Sequence, residues 1–283
     1  MALLGSKPPD GTEAFSGDAG GEIFWQRWDA EGTARGVVVI AHGVSEHSER
    51  YTHVAERLNS AGYDVYALDH RGHGRSEGDR ANIGRLASAV ADVGTLVAIA
   101  RERSPGLKLF LLGHSMGGAI ALEFALERED EIDGLVLSAP AAELEAASRL
   151  ELFAGRTLSV IAPNLGVFPV DPAAVSREPE VVRDYAADPL NHHRKLPART
   201  VAELANVIET FPDRAPGLSL PLLVMVGSAD TLVPPEASHM VEDRAGSADK
   251  RLISYEGLYH EILNEPERER VMDDLVAWLD AHA

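Results

Sequence analysis

Seven short, mostly apolar runs punctuate the chain: Glu22–Trp28, Val37–Ala41, Asp64–Leu68, Lys108–Leu112, Gly134–Ser138, Leu222–Val226 and Arg251–Tyr255. Several, such as Val37-Val38-Val39-Ile40, show no polar alternation, the pattern of strands covered on both faces. Between the runs the apolar spacing changes. From Ile83 onward, Leu86, Val90, Val93, Leu96 and Val97 recur three and four residues apart, which predicts an amphipathic helix with one buried stripe. The last helix is expected to open at Pro266, a residue favoured at a first helical position, and to bury Val271, Leu275, Trp278 and Leu279. Strands alternating with helices predict an α/β fold, a mostly parallel twisted sheet of about eight strands with helices on both faces. Reactive residues in such a sheet belong on loops beyond the carboxyl ends of the strands.

One region breaks the alternation. From Pro140 to about Pro216 there is no convincing buried strand, yet the segment carries its own apolar cluster, including Leu150, Leu152, Phe153, Leu158, Ile161, Leu165 and Phe168. A structureless connection of that length is improbable inside a compact domain, so residues 141–216 are expected to form an inserted helical cap over the catalytic edge. The core then comprises residues 12–140 and 217–283, preceded by a disordered tail over residues 1–11. The stretch Leu150–Phe168 has two readings: transient docking on a lipid or micelle surface, or burial against the core.

Composition narrows the partners. The chain has 283 residues, 45% hydrophobic and 25% charged, which suits one large domain with an insertion. A formal charge of −19 argues against nucleic acid and against electrostatic docking to anionic lipid, so any membrane contact would be apolar. Zero cysteines exclude disulfides and thiolate catalysis. With no secretory leader and no long apolar span visible, the expected location is cytoplasmic, with peripheral membrane contact as an addition.

The most specific signal is Gly113-His114-Ser115-Met116-Gly117, placed where a strand-like run meets the helix-like run Gly118–Arg128. A G-x-S-x-G turn there strains the serine backbone and lifts its hydroxyl above the sheet edge, and it needs small residues on either side. A serine hydroxyl is a poor nucleophile at neutral pH. It requires a base, and the base requires a third group to hold its tautomer. Asp230 follows the strand Leu222–Val226 and His260 follows Arg251–Tyr255, so Ser115, Asp230 and His260 stand in the chain order this architecture uses. His239, His282, His114 and Asp69 compete less well on position. The pairs His70/His73 and His192/His193 lack a converging carboxylate at a telling spacing, so neither a metal nor a cofactor is expected. The backbone N–H of Met116 and that of Val44, in the loop His42-Gly43-Val44-Ser45-Glu46-His47, are the candidate oxyanion donors. Loss of one such donor typically costs about 3–4 kcal/mol of barrier.

Taken together, His42-Gly43 with Glu46-His47 and Arg50-Tyr51, Asp69-His70-Arg71-Gly72-His73-Gly74, the elbow, and Tyr259-His260-Glu261-Ile262 with Asn264-Glu265-Pro266 resemble the monoacylglycerol lipase branch of the α/β hydrolases. The cap stretch Asp188-Pro189-Leu190-Asn191-His192-His193 is also similar to that family. The resemblance implies hydrolysis of monoacylglycerol to fatty acid and glycerol without cofactor, with Glu46, Arg50, Tyr51 and Asn191 near the glycerol end. For Glu46, Arg50 and Tyr51 a hydrogen-bond network at a helix start is an equal reading. Ser45 replaces the glycine usual in that loop and is expected to tighten the alcohol end of the pocket. A general carboxylesterase, lysophospholipase or thioesterase would use the same residues. A catalytically silent ligand-binding protein is the alternative from a different class. Epoxide hydrolases and haloalkane dehalogenases carry Asp at the nucleophile position and are disfavoured. The oligomeric state has no signal in the sequence.

Overall fold

The unbroken apolar runs occupy the middle of a sheet. The computed structural model describes residues 9–143 and 157–283. Its strands are β1 (Gly11–Ser16), β2 (Glu22–Trp28), β3 (Gly36–Ala41), β4 (Tyr63–Leu68), β5 (Lys108–His114), β6 (Gly134–Ser138), β7 (Gly166–Phe168), β8 (Leu196–Pro197), β9 (Leu222–Gly227) and β10 (Lys250–Tyr255). Eight of them form one sheet in the order β1-β2-β4-β3-β5-β6-β9-β10. The pairs β1/β2 and β2/β4 are antiparallel, and every other pairing in this sheet is parallel.

Successive side chains of β3 enter opposite cores, as the two-residue period of a strand requires. Val37 and Val39 pack on one face with Leu109, Leu111 and the helices Leu86–Arg103 and Met116–Arg128. Val38 and Ile40 pack on the other with Phe110, Leu112 and the helices Thr52–Ser60 and Arg268–His282. Every residue of β3 and of β9 is buried, so the central strands are anchored from both sides. Truncating one such side chain, as in Ile40→Ala, typically costs about 2–5 kcal/mol. These strands lead into the loops that hold Val44 and Asp230, and their burial fixes where those loops begin.

Three expectations need correction. Gly11 already belongs to β1, whose polar, half-exposed side chains give no apolar signal; its ladder with β2 holds it. Pro266 lies in a turn and the final helix begins at Arg268. The segment expected to form a helical cap contains a small antiparallel pair, β7 with β8, too short to read as strands.

The described part of the cap also includes helical residues 157–161 and the helices Pro179–Ala187 and Ala198–Ile208. Leu150, Leu152 and Phe153 fall outside the described residues. Within them, Val160, Ile161, Leu165 and Phe168 are 70%, 73%, 49% and 52% exposed and form no cap core. Among the described residues no helix is long and apolar enough to cross a membrane.

Candidate active site

Strand β5 ends in the elbow. Ser115 has φ 51° and ψ −117°, a left-handed conformation that side chains other than glycine rarely adopt. The close approach explains the flanking glycines. A Cβ on Gly113 would sit 2.4 Å from the Gly117 carbonyl oxygen, and one on Gly117 would sit 2.1 Å from the carbonyl oxygen of Ala41. The strained turn is held by its own backbone: the Ser115 N–H donates to the Ser138 carbonyl at 3.0 Å, and its carbonyl accepts from Ala141 N–H at 3.0 Å.

The next two reactive loops approach each other at the ends of β9 and β10. Ala229 N–H donates to the Leu258 carbonyl at 3.0 Å, which brings Asp230 beside His260. One oxygen of Asp230 accepts from the backbone N–H groups of Leu232 and Val233 at 2.8 and 3.0 Å. The other lies 2.6 Å from His260 Nδ1, so Nδ1 carries the donated proton and Nε2 is left as the basic nitrogen. Burial opposes charge on His260, but the Asp230 carboxylate outweighs it, with Glu261 and Glu46 adding, and the imidazole is held above its ordinary value. His114 packs 4.7 Å from the His260 ring, centroid to centroid. Burial, helped by His260, pushes His114 down to about 4, so it stays neutral.

Ser115 and His260 open onto one cavity of about 130 Å³. Val44 and Met116 line it too, and among the described residues neither of their N–H groups donates a hydrogen bond to protein. Met116 also begins a helix, whose N-terminal end favours negative charge. The loop that carries Val44 is fixed from behind. Gly43 N–H donates to Glu46 Oε1 at 2.6 Å, and His42 donates from Nδ1 to the Gly43 carbonyl at 2.6 Å while its Nε2 accepts from His70 N–H. Burial keeps His42 neutral, as that pair of bonds requires. Elsewhere the cavity wall is largely apolar, with Phe168, Val170, Val175, Leu196 and Leu204 from the cap facing Leu232 and Val233.

The polar residues expected at the alcohol end divide. Glu46 reaches the cavity wall. Arg50 lies between Glu46 and Glu261, with bonds of 2.6 Å to the first and 2.7 Å twice to the second, and Tyr51 donates its hydroxyl to Glu46 at 2.8 Å. Burial works against the Glu46 carboxylate, but the Arg50 guanidinium and the hydrogen bond from the Tyr51 hydroxyl hold it down at about 2. Arg50 and Tyr51 do not line the cavity; Arg50 faces a separate hollow of about 410 Å³ that touches neither Ser115 nor His260. Asn191 also lies away from the cavity, donating to the Tyr185 carbonyl at 3.0 Å where cap meets core. Ser45 is buried and does not line the cavity either; it holds φ 66°, and its carbonyl accepts from His192 N–H at 3.0 Å.

Two polar lining residues were given no role by the sequence reading. Glu261 adjoins His260, and its signal was membership of the motif Tyr259-His260-Glu261-Ile262. Tyr185 comes from a cap helix that has no motif. Among the described residues no cluster of three or more His, Asp or Glu side chains could hold a metal ion.

A strained serine at a strand–helix elbow, facing a histidine held by an aspartate across a mixed sheet, defines the serine-hydrolase class of α/β hydrolases. The family described as serine aminopeptidase, S33, matches residues 32–267. Monoacylglycerol lipase of Mycolicibacterium smegmatis is 44% identical over 270 residues, covering 95% of this chain and 96% of that one. Monoglyceride lipase of Homo sapiens is 37% identical, covering 86% of this chain and 81% of that one. The crystal structure of Paleococcus ferrophilus monoacylglycerol lipase superposes with a TM-score of 0.84 at 33% identity, covering 93% of this chain and 100% of that one. The chain belongs to the monoacylglycerol lipase family of the α/β hydrolases.

Proposed function

We propose that this chain is a carboxylic ester hydrolase that cleaves monoacylglycerol to free fatty acid and glycerol through an acyl-enzyme intermediate. Ser115 attacks the ester carbonyl, and His260 takes the serine proton and delivers it to the glycerol oxygen. Asp230 orients the imidazole and stabilises its charged form. The N–H groups of Val44 and Met116 receive the developing oxyanion. Water, activated by the same histidine, then releases the acyl chain.

The observation that carries this reading is the shared cavity. Ser115, His260 and both amides face a space whose walls are apolar toward the cap and carboxylate-bearing at Glu46 and Glu261. An acyl chain suits the first part, and a neutral polyol suits the second. The names of the relatives point to the same substrate class. The exposed Val160, Ile161, Leu165 and Phe168 supply an apolar contact for a lipid or micelle surface, consistent with an enzyme that works in the cytoplasm and meets membranes peripherally.

Steady-state hydrolysis of monoacylglycerols of graded length, beside diacylglycerol, lysophospholipid and a simple ethyl ester, tests the substrate. The expected result is the highest kcat/KM on a monoacylglycerol. Preference for the ethyl ester demotes the chain to a general esterase, and preference for the lysophospholipid makes it a lysophospholipase.

A further inference from the structure

We propose that Glu261 is a positioning residue for this hydrolysis: through Arg50 and Glu46 it ties the loop that carries His260 to the loop that carries the Val44 N–H. The inference rests on the roles given above to Ser115 and His260, and not on the identity of the lipid.

The connection is continuous. Gly43 N–H is held by Glu46 Oε1 at 2.6 Å, Glu46 Oε2 takes Arg50 at 2.6 Å, and Arg50 grips both oxygens of Glu261 at 2.7 Å each. Arg50 and Glu261 lie 211 residues apart in sequence, so this contact joins two loops that share no strand. Glu261 is nearly fully buried and has further supports. Asn264 Nδ2 donates to its Oε2 at 2.9 Å, and its backbone N–H donates to the Val175 carbonyl of the cap at 2.8 Å. A planar guanidinium can bond one carboxylate through two nitrogens and a second carboxylate beside it; an ammonium group cannot reproduce that geometry.

The cluster also has an electrostatic consequence. One cation between two carboxylates leaves negative charge beside His260, which is faced by Asp230, Glu261, Glu46 and the neutral ring of His114. That charge favours the imidazolium formed when Ser115 gives up its proton. A fixed loop and a favoured imidazolium both act on kcat.

The test uses p-nitrophenyl butyrate, with active enzyme counted by fluorophosphonate titration and Tm measured on each variant. For Glu261→Gln, kcat per active site should fall about tenfold while KM changes by less than about twofold. The acid limb of kcat/KM should move to lower pH, because a negative charge beside the imidazole has been removed. Arg50→Lys keeps its charge and loses the fork, so kcat should fall with the acid limb unmoved. Wild-type kcat and an unmoved limb in Glu261→Gln would overturn the proposal. So would a kcat loss without a limb shift that is matched by a lowered Tm, which assigns Glu261 to stability alone. Should Glu261→Gln fail to fold, wild-type kcat in Arg50→Lys overturns it. Absence of labelling in the wild type would instead remove the roles of Ser115 and His260.

Discussion

In the sheet, β3 and β9 bury every residue, and the loops that follow them are fixed by hydrogen bonds, Gly43 N–H to Glu46 after β3 and Ala229 N–H to the Leu258 carbonyl after β9. The cap is built differently. Its apolar residues Val160, Ile161 and Leu165 face outward, and it meets the core through Val207 and Ile208 of the helix Ala198–Ile208 and through polar contacts along a seam. These include His47 Nε2 to Asp188 Oδ2 at 3.0 Å, Arg177 N–H to Glu265 at 2.6 Å and Thr200 to the Ala81 carbonyl at 2.6 Å. The contrast separates two tasks. Bond-making groups need fixed positions, so they sit on strand ends set by a close-packed core. Substrate entry needs a surface that accepts apolar material, and the outward side chains Val160, Ile161 and Leu165 offer one without disturbing the core.

If that division is right, changes in the core should be severe and chemical, whereas changes in the cap should be mild and depend on the substrate's physical state. Asp230→Asn keeps the shape of the site but favours the wrong tautomer of His260. It should lower kcat about 10⁴-fold with unchanged circular dichroism. The pH profile comes next. His260 must be neutral to accept the proton, and Asp230 holds it above the ordinary 6.5 against the effect of burial. Below that raised pKa, kcat/KM should drop about tenfold per pH unit, with a midpoint above 6.5 on the acid limb.

In the cap, Val160→Ser combined with Ile161→Ser should weaken vesicle binding and slow hydrolysis of vesicle-borne monoacylglycerol several-fold. Hydrolysis of a dissolved short ester should be untouched. Equal loss on both substrates would blur the division. The smallest effect is expected at the seam. Ser45 holds a left-handed backbone at φ 66°, which glycine adopts without strain. Ser45→Gly should stabilise the protein by about 0.5–1 kcal/mol, read as a Tm rise of about 1–3 °C, with kcat unchanged.

The same contrast explains what could be read from the sequence. The apolar runs located seven of the sheet's eight strands, most clearly β3, β6 and β9, because strands buried on both faces must be apolar throughout. The sequence placed the elbow, Asp230 and His260 just after those strands, and the fold brings Asp230 to His260 and His260 to the cavity of Ser115, as the proposed chemistry requires. Where hydrogen bonding outweighs side-chain burial, the signal disappears. Strand β1 is held by its ladder to β2, and the pair β7/β8 is only a few residues long. The alcohol-end residues were half legible. Glu46 reaches the cavity, but Arg50, Tyr51 and Asn191 are consumed by partners that only the folded chain supplies. Glu261 was legible only as part of a motif and had no role, because a carboxylate beside a histidine has no partner until Arg50 arrives from the other end of the chain.

The most direct measurement of the central claim is intact-mass analysis after brief treatment with a fluorophosphonate, comparing the wild type with Ser115→Ala and His260→Ala. A single adduct on Ser115 in the wild type, none in Ser115→Ala, and labelling slowed by orders of magnitude in His260→Ala is the expected result. An adduct that persists in Ser115→Ala, or one that forms at the wild-type rate without His260, would contradict the account.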